Sequence, residues 1–169
     1  MNPKNNQING DQKPDKKSPE PIKVMLADDD KDDQHLFEEA LKKTHVPTNL
    51  TTADDGEQLM NHLHDDTVPN PDIIFLDINM PVKNGSECLE EIRADEQLKD
   101  IPVVMYSTSS SDRDISETYT KGANLYVIKP ISFTRIVVVL KHIFTLKWNR
   151  LFTKPEKKDF VVSDRNVRD

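Results

Sequence analysis

A chain of 169 residues carrying 23 basic and 30 acidic side chains, net charge −7, can bury one proper core but offers no broad cationic surface for nucleic acid or anionic lipid. Its apolar share of 35% is low for a chain folded throughout, so part of it is expected to lie outside the core. A single cysteine, Cys88, excludes an internal disulfide and a cysteine-based zinc site, and no run approaches the roughly 20 apolar residues of a membrane span.

Residues 1–20 are polar, with Ile8 the only aliphatic residue after Met1, and read as a disordered tail. Nothing in them resembles a secretory signal, so a cytoplasmic protein is expected. Strands are expected at 22–27 (IKVMLA), 49–53 (NLTTA), 73–77 (IIFLD), 102–107 (PVVMYS) and 125–129 (LYVIK). Several are almost continuously apolar, as strands covered on both faces of a parallel sheet are. The segments between them carry helical spacing. Leu36, Phe37, Ala40 and Leu41 form one stripe, Leu59, Met60 and Leu63 a second, Cys88, Leu89 and Ile92 a third, and Ile115 with Tyr119 a fourth.

A last helix is expected over residues 131–150. Ile136, Val137, Val138, Val139, Leu140, Ile143, Phe144, Leu146 and Trp148 exceed what one face against a sheet requires. Either this helix is unusually buried or its second apolar face meets a partner. Residues 151–169 are mostly charged and polar apart from Phe160, Val161 and Val162, and are expected as a flexible tail, leaving 21–150 as the domain.

A strand–helix unit repeated five times predicts an α/β fold: a five-stranded parallel sheet of order 2-1-3-4-5 in a flavodoxin-like (βα)5 three-layer sandwich. Ligands of such sheets bind beyond the carboxyl ends of the strands, at the switch point between strands 1 and 3. Strand 1 runs into Asp28, Asp29 and Asp30, strand 3 ends in Asp77, strand 4 in Ser107, and strand 5 in Lys129. Two carboxylates about 4 Å apart repel by about 1 kcal/mol in water and about 4 kcal/mol at an effective dielectric of 20. Asp28, Asp29 and Asp77 together therefore call for a hard divalent cation such as Mg²⁺. With one carboxylate free to attack, a fixed ammonium at Lys129 and a hydroxyl at Ser107, the set suits in-line phosphoryl transfer to an aspartate.

The segments VMLADDD, IIFLDINMP followed by Gly85, VVMYSTSS and LYVIKP resemble the signature regions of bacterial receiver domains, the CheY-like response regulators, over residues 21–150. The stretch GANLYVIKP and the long last helix are similar to stand-alone regulators of the phytochrome-associated type. The resemblance implies a two-component signalling switch in which Asp77 is the phosphoacceptor. It further implies that Asp29 and Asp77 hold Mg²⁺ directly, Asp28 through water, and Asn79 through its backbone carbonyl. Lys129 and Ser107 would contact the phosphoryl group, and Tyr126 would turn inward as the switch aromatic. The Lys129–Pro130 bond would be cis. The donor would be a histidine kinase or phosphotransfer protein, with no DNA-binding domain and no membrane partner. Helix 4, strand 5 and helix 5 would offer a homodimer surface. Ser107 departs from the commoner Thr, and Thr108 stands where a small residue is usual.

Other acidic side chains carry blander expectations. Asp30 is read as no metal ligand, and Asp32 and Asp33 as charge at a helix start. A calcium loop beginning at Asp28 fails because Asp33 stands where that loop needs Gly. His35, His45, His62, His64 and His142 are scattered and read as surface residues. Two other functions compete with the switch. One is a Mg²⁺-dependent aspartyl phosphohydrolase, which would usually carry a second Asp where this chain has Asn79. The other is an interaction module independent of phosphorylation.

Overall fold

The computed structural model describes residues 20–146, 155–163 and 166–167. The parallel strands are β1 (Ile22–Ala27), β2 (Thr48–Ala53), β3 (Ile73–Leu76), β4 (Val103–Ser107), β5 (Leu125–Ile128) and β6 (Val161–Val162), in the order β2-β1-β3-β4-β5-β6. The helices are α1 (Lys31–Thr44), α2 (Gly56–Leu63), α3 (Gly85–Ala94), α4 (Asp112–Thr120) and α5 (Phe133–Thr145), with a short 3-10 turn, Lys157–Asp159, before β6. The order predicted for the first five strands holds. No described helix is long and apolar enough to cross a membrane.

The sheet separates two apolar layers. On one side Leu59, Met60, Leu63, Cys88, Leu89 and Ile92 of α2 and α3 pack on Met25, Ile74 and Met105. On the other, Phe37, Ala40 and Leu41 of α1 and Ile136, Val139, Leu140 and Ile143 of α5 pack on Val24, Phe75 and Val104. β3 and β4 are buried along their whole length, which is why they read as unbroken apolar runs. Leu36, placed in the α1 stripe from its spacing, is instead 41% exposed. It sits one residue off the Phe37–Leu41 face.

The expected flexible tail over 151–169 needs correction where it is described. Residues 155–163 return to the sheet and add β6 to the outer edge of β5, with Tyr126 opposite Val161 and Val127 opposite Val162. Phe160 is fully buried. Apolar burial and strand pairing together offset the ordering entropy that composition alone suggested would keep the segment loose. The same return answers the excess of apolar residues in α5. Val162 and Val167 join the α5 layer, while Val137, Val138, Phe144 and Leu146 stay half-buried beside it. Trp148 and the expected tail over 1–19 lie outside the described residues.

Candidate functional site

The loop after β1 is fixed by its own acids. Asp28 donates its amide to the Ala53 carbonyl at 3.0 Å, and Asp77 donates its amide to the Ala27 carbonyl at 2.9 Å. These two bonds set the starts of both loops side by side at one end of the sheet. Asp28 Oδ1 then accepts the Asp30 amide at 3.0 Å. Asp30 caps α1, accepting from the amides of Asp32 and Asp33. Asp30 thus serves as the N-cap of α1.

After β3 the chain turns just as tightly. Asp77 Oδ1 accepts the Ile78 amide at 2.7 Å, and Gly85 donates to the Ile78 carbonyl at 2.9 Å. A Cβ at Gly85 would lie 2.0 Å from the Asp77 carbonyl oxygen, so only glycine fits against this loop. Asn84 and Glu87 close a capping box on α3. Gly56 is the first residue of α2, where a Cβ would meet Lys83 and Cys88.

The outcome is a carboxylate cluster. Asp28, Asp29 and Asp77 each present an oxygen, all within 4.8 Å of one another; Asp28 and Asp77 are buried and Asp29 is exposed. Burial pushes the Asp28 carboxyl above its ordinary range, against the opposing pull of Lys129. Two buried acids and one exposed acid converging on one point fit the donor set of a hard, oxygen-preferring cation whose remaining ligands are waters.

Lys129 closes the crevice. Its amide donates to the Ser107 carbonyl at 2.8 Å, which ties the residue just after β5 to the last residue of β4. Its Nζ donates to Asp28 Oδ2 at 2.7 Å, Asp33 Oδ2 at 2.8 Å and Asp77 Oδ2 at 3.4 Å. The ammonium also sits 5.5 Å from the centroid of the Tyr106 ring. Burial by itself would lower the Lys129 pKa; the bonds to Asp28 and Asp33 outweigh it and hold it above the ordinary value. The cation is permanent and its three donors are all directed at carboxylates.

Ser107 is fully buried at the end of β4, its Oγ accepting the Ser109 amide at 3.3 Å. Tyr126 is also fully buried, with its hydroxyl donating to the Ser109 carbonyl at 2.9 Å. Asn79 lies exposed in the loop after Asp77, on the wall of a 460 Å³ cavity that also touches Ser86, Asp114 and Glu117 of the neighbouring face. The bond expected as cis, Lys129–Pro130, is trans. Trans is the form an unconstrained X–Pro bond favours by about 0.5–1 kcal/mol.

The sequence reading missed Asp33, assigned to helix-start charge, and Tyr106. A signal for Asp33 existed. It stands four residues before Phe37 on the face that Phe37 and Leu41 bury, so it continues an inward-facing stripe. The five histidines form no cluster with other metal-binding side chains among the described residues.

Comparison with known proteins bears on all of this. Residues 24–141 match the family described as the response regulator receiver domain. Response regulator Rcp1 of Synechocystis sp. is 35% identical over 113 residues, 64% of this chain and 77% of that protein. Chemotaxis protein CheY of Pseudomonas aeruginosa is 32% identical over 73% of this chain and 96% of its own length. Among solved structures, the phosphorylated cyanobacterial phytochrome response regulator RcpA is 37% identical with a TM-score of 0.68, covering 73% of this chain and 91% of that one. The Mn²⁺-bound form of Rcp1 is 31% identical with a TM-score of 0.69, over 80% of this chain and 100% of that one.

Proposed function

This chain belongs to the response regulator receiver family of two-component signalling proteins, and on that footing we propose that it takes a phosphoryl group onto Asp77. The observation that carries the proposal is the convergence of Asp28, Asp29 and Asp77 on one point with Lys129 donating into it. The family is one of signalling proteins, and a divalent cation is the ligand this acid cluster fits.

In the reaction proposed, an Asp77 carboxylate oxygen attacks phosphorus in line. The bond from phosphorus to the donor's nitrogen or oxygen breaks, its electron pair leaves with the donor, and an acyl phosphate remains on Asp77. Lys129 is placed to pair with the phosphoryl oxygens, since its Nζ already reaches the Asp77 side chain. The Ser107 hydroxyl is placed to donate to the same group. Mg²⁺, the cation we assign, would be held by Asp28, Asp29, Asp77 and the Asn79 carbonyl, and would offset negative charge on the transferred group. Water attack on the acyl phosphate returns the carboxylate and releases inorganic phosphate, so turnover is confined to the protein's own phosphoryl group.

The partner is a histidine kinase or phosphotransfer protein, met in the cytoplasm, and output passes by protein contact. Residues 155–163 cover the outer edge of β5, so two copies pairing through α4, β5 and α5 meet that segment first. Light scattering over a range of concentrations reads whether they pair.

Transfer of labelled phosphoryl from a panel of autophosphorylated histidine kinases tests the proposal. At least one kinase should label the wild type and leave Asp77→Asn unlabelled. Multiple turnover on a small phosphoester would favour a phosphohydrolase instead.

A further inference from the structure

The matched family region ends at residue 141, yet the chain returns to the sheet at residues 155–163. An edge strand of two residues is a weak attachment, and this one is held by much more than its ladder. The Tyr126 amide donates to the Phe160 carbonyl at 2.9 Å. The Phe160 ring, fully buried, lies 5.0 Å from the Tyr119 ring of α4, edge to face, and 6.2 Å from the Tyr126 ring of β5. Tyr119 donates its hydroxyl to the Pro155 carbonyl at 3.2 Å, and Lys157 reaches Ser116 of α4 at 3.1 Å. The segment thus fills a pocket made by α4 and β5.

Tyr126 is the shared wall. Its ring meets Phe160 on the outer side, and its hydroxyl donates to the Ser109 carbonyl on the inner side. Ser109 in turn donates its amide to Ser107 Oγ, the hydroxyl at the end of β4. The buried ring position of Tyr126 is therefore supported from both directions. If that ring swung out toward solvent, it would have to displace Phe160; with Phe160 seated, the inward position is the one that fits.

We propose that residues 155–163 are a tethered ligand of the α4–β5 surface, and that their docking is linked through Tyr126 to the phosphoryl state of Asp77. The proposal rests on the phosphoacceptor reading above. A phosphoryl group that draws Ser107 inward favours the buried Tyr126 ring, which is also the ring position that seats Phe160. Linkage makes the effect reciprocal, so the docked segment strengthens retention of a phosphoryl-like group by the factor with which that group strengthens docking. An edge-covering strand with a purely structural role would also blunt the β5 edge, but it would hold equally well in both states.

Hydrogen exchange of the full chain in Mg²⁺, with and without beryllofluoride as the phosphoryl mimic, separates these cases. The expected result is slower exchange around residues 77–80 and, with it, exchange at residues 160–163 slowed at least about fivefold, within the usual range of coupling. Phe160→Ala should weaken beryllofluoride affinity by the same factor. Tyr126→Phe keeps the ring contact but loses the Ser109 bond, so it should keep basal protection of the segment and lose the response. It also covers the case in which Phe160→Ala fails to fold. Protection at 77–80 with no change at 160–163 overturns the linkage. No change at either place overturns the phosphoacceptor reading instead. Protection of 160–163 that grows with protein concentration overturns the tethered arrangement in favour of a second copy.

Discussion

Lys129 donates to Asp33 at 2.8 Å, a bond joining residues 96 positions apart across the mouth of the crevice. It is shorter than the 3.4 Å contact from the same ammonium to Asp77. In this arrangement the cation of the site rests against the first turn of α1 and against Asp28, and only one of its three bonds involves the proposed phosphoacceptor.

Removing Asp33 should therefore change the site more than the fold. The Asp33 side chain is 33% exposed, so Asp33→Asn is expected to cost no more than about 1 kcal/mol in urea unfolding. Loss of its negative charge beside the pocket should weaken Mg²⁺ binding severalfold, read by calorimetry, while phosphoryl uptake at saturating Mg²⁺ persists.

The acid cluster is an electrostatic burden without a cation. Asp77→Asn is expected to raise stability in chelator by about 1 kcal/mol, because one buried like charge is removed beside Asp28. Paired chemical denaturation of the two proteins in chelator measures it.

Cation binding should stabilise the wild type in a predictable way. At Mg²⁺ a hundredfold above its dissociation constant the gain is about 2.7 kcal/mol, seen as a rise in the unfolding midpoint. Asp29→Asn should lose most of that gain, although Asp29 is exposed and contributes little to packing.

Gly85→Ala tests the close approach of α3 to the loop after Asp77. With a Cβ directed at the Asp77 carbonyl, this variant should lose about 3 kcal/mol or more by overpacking. Thermal unfolding against the wild type reports it.

Cys88 should be inert in the native state. Burial pushes its thiol up to about 11 from an ordinary 9.0, so the thiolate is scarce at pH 8 and alkylation should require unfolding. The folded protein holds this proton more tightly than the unfolded chain. That contribution is complete below about pH 9 and is lost as pH rises toward 11. Mass-resolved alkylation with and without urea measures the difference.

Most of the site was legible in the sequence because its side chains close runs of a kind that only buried parallel strands produce. Asp77 and Ser107 each follow an unbroken apolar segment, and the strand order then carries Asp28, Asp77 and Lys129 to one end of the sheet. Asp33 was harder to place because helix-start acids are common, and its bond depends on a lysine brought in from a distant strand. Phe160 was harder still. Three apolar residues among charged neighbours carry no periodicity, and the pocket that receives them exists only after Tyr119 and Tyr126 are in place. The start of α5, expected at 131 and observed at Phe133, shifted because Ser132 caps the helix through its side chain, and the helix closes at Thr145 because Leu146 turns extended.

In the function proposed, three acids gathered at the ends of β1 and β3 let one of them, Asp77, form an acyl phosphate. Intact-mass measurement after incubation with acetyl phosphate and Mg²⁺ tests it most directly. One added phosphoryl group is predicted, lost when Mg²⁺ is chelated and absent from Asp77→Asn. Undiminished uptake by Asp77→Asn, or uptake indifferent to chelation, would contradict it.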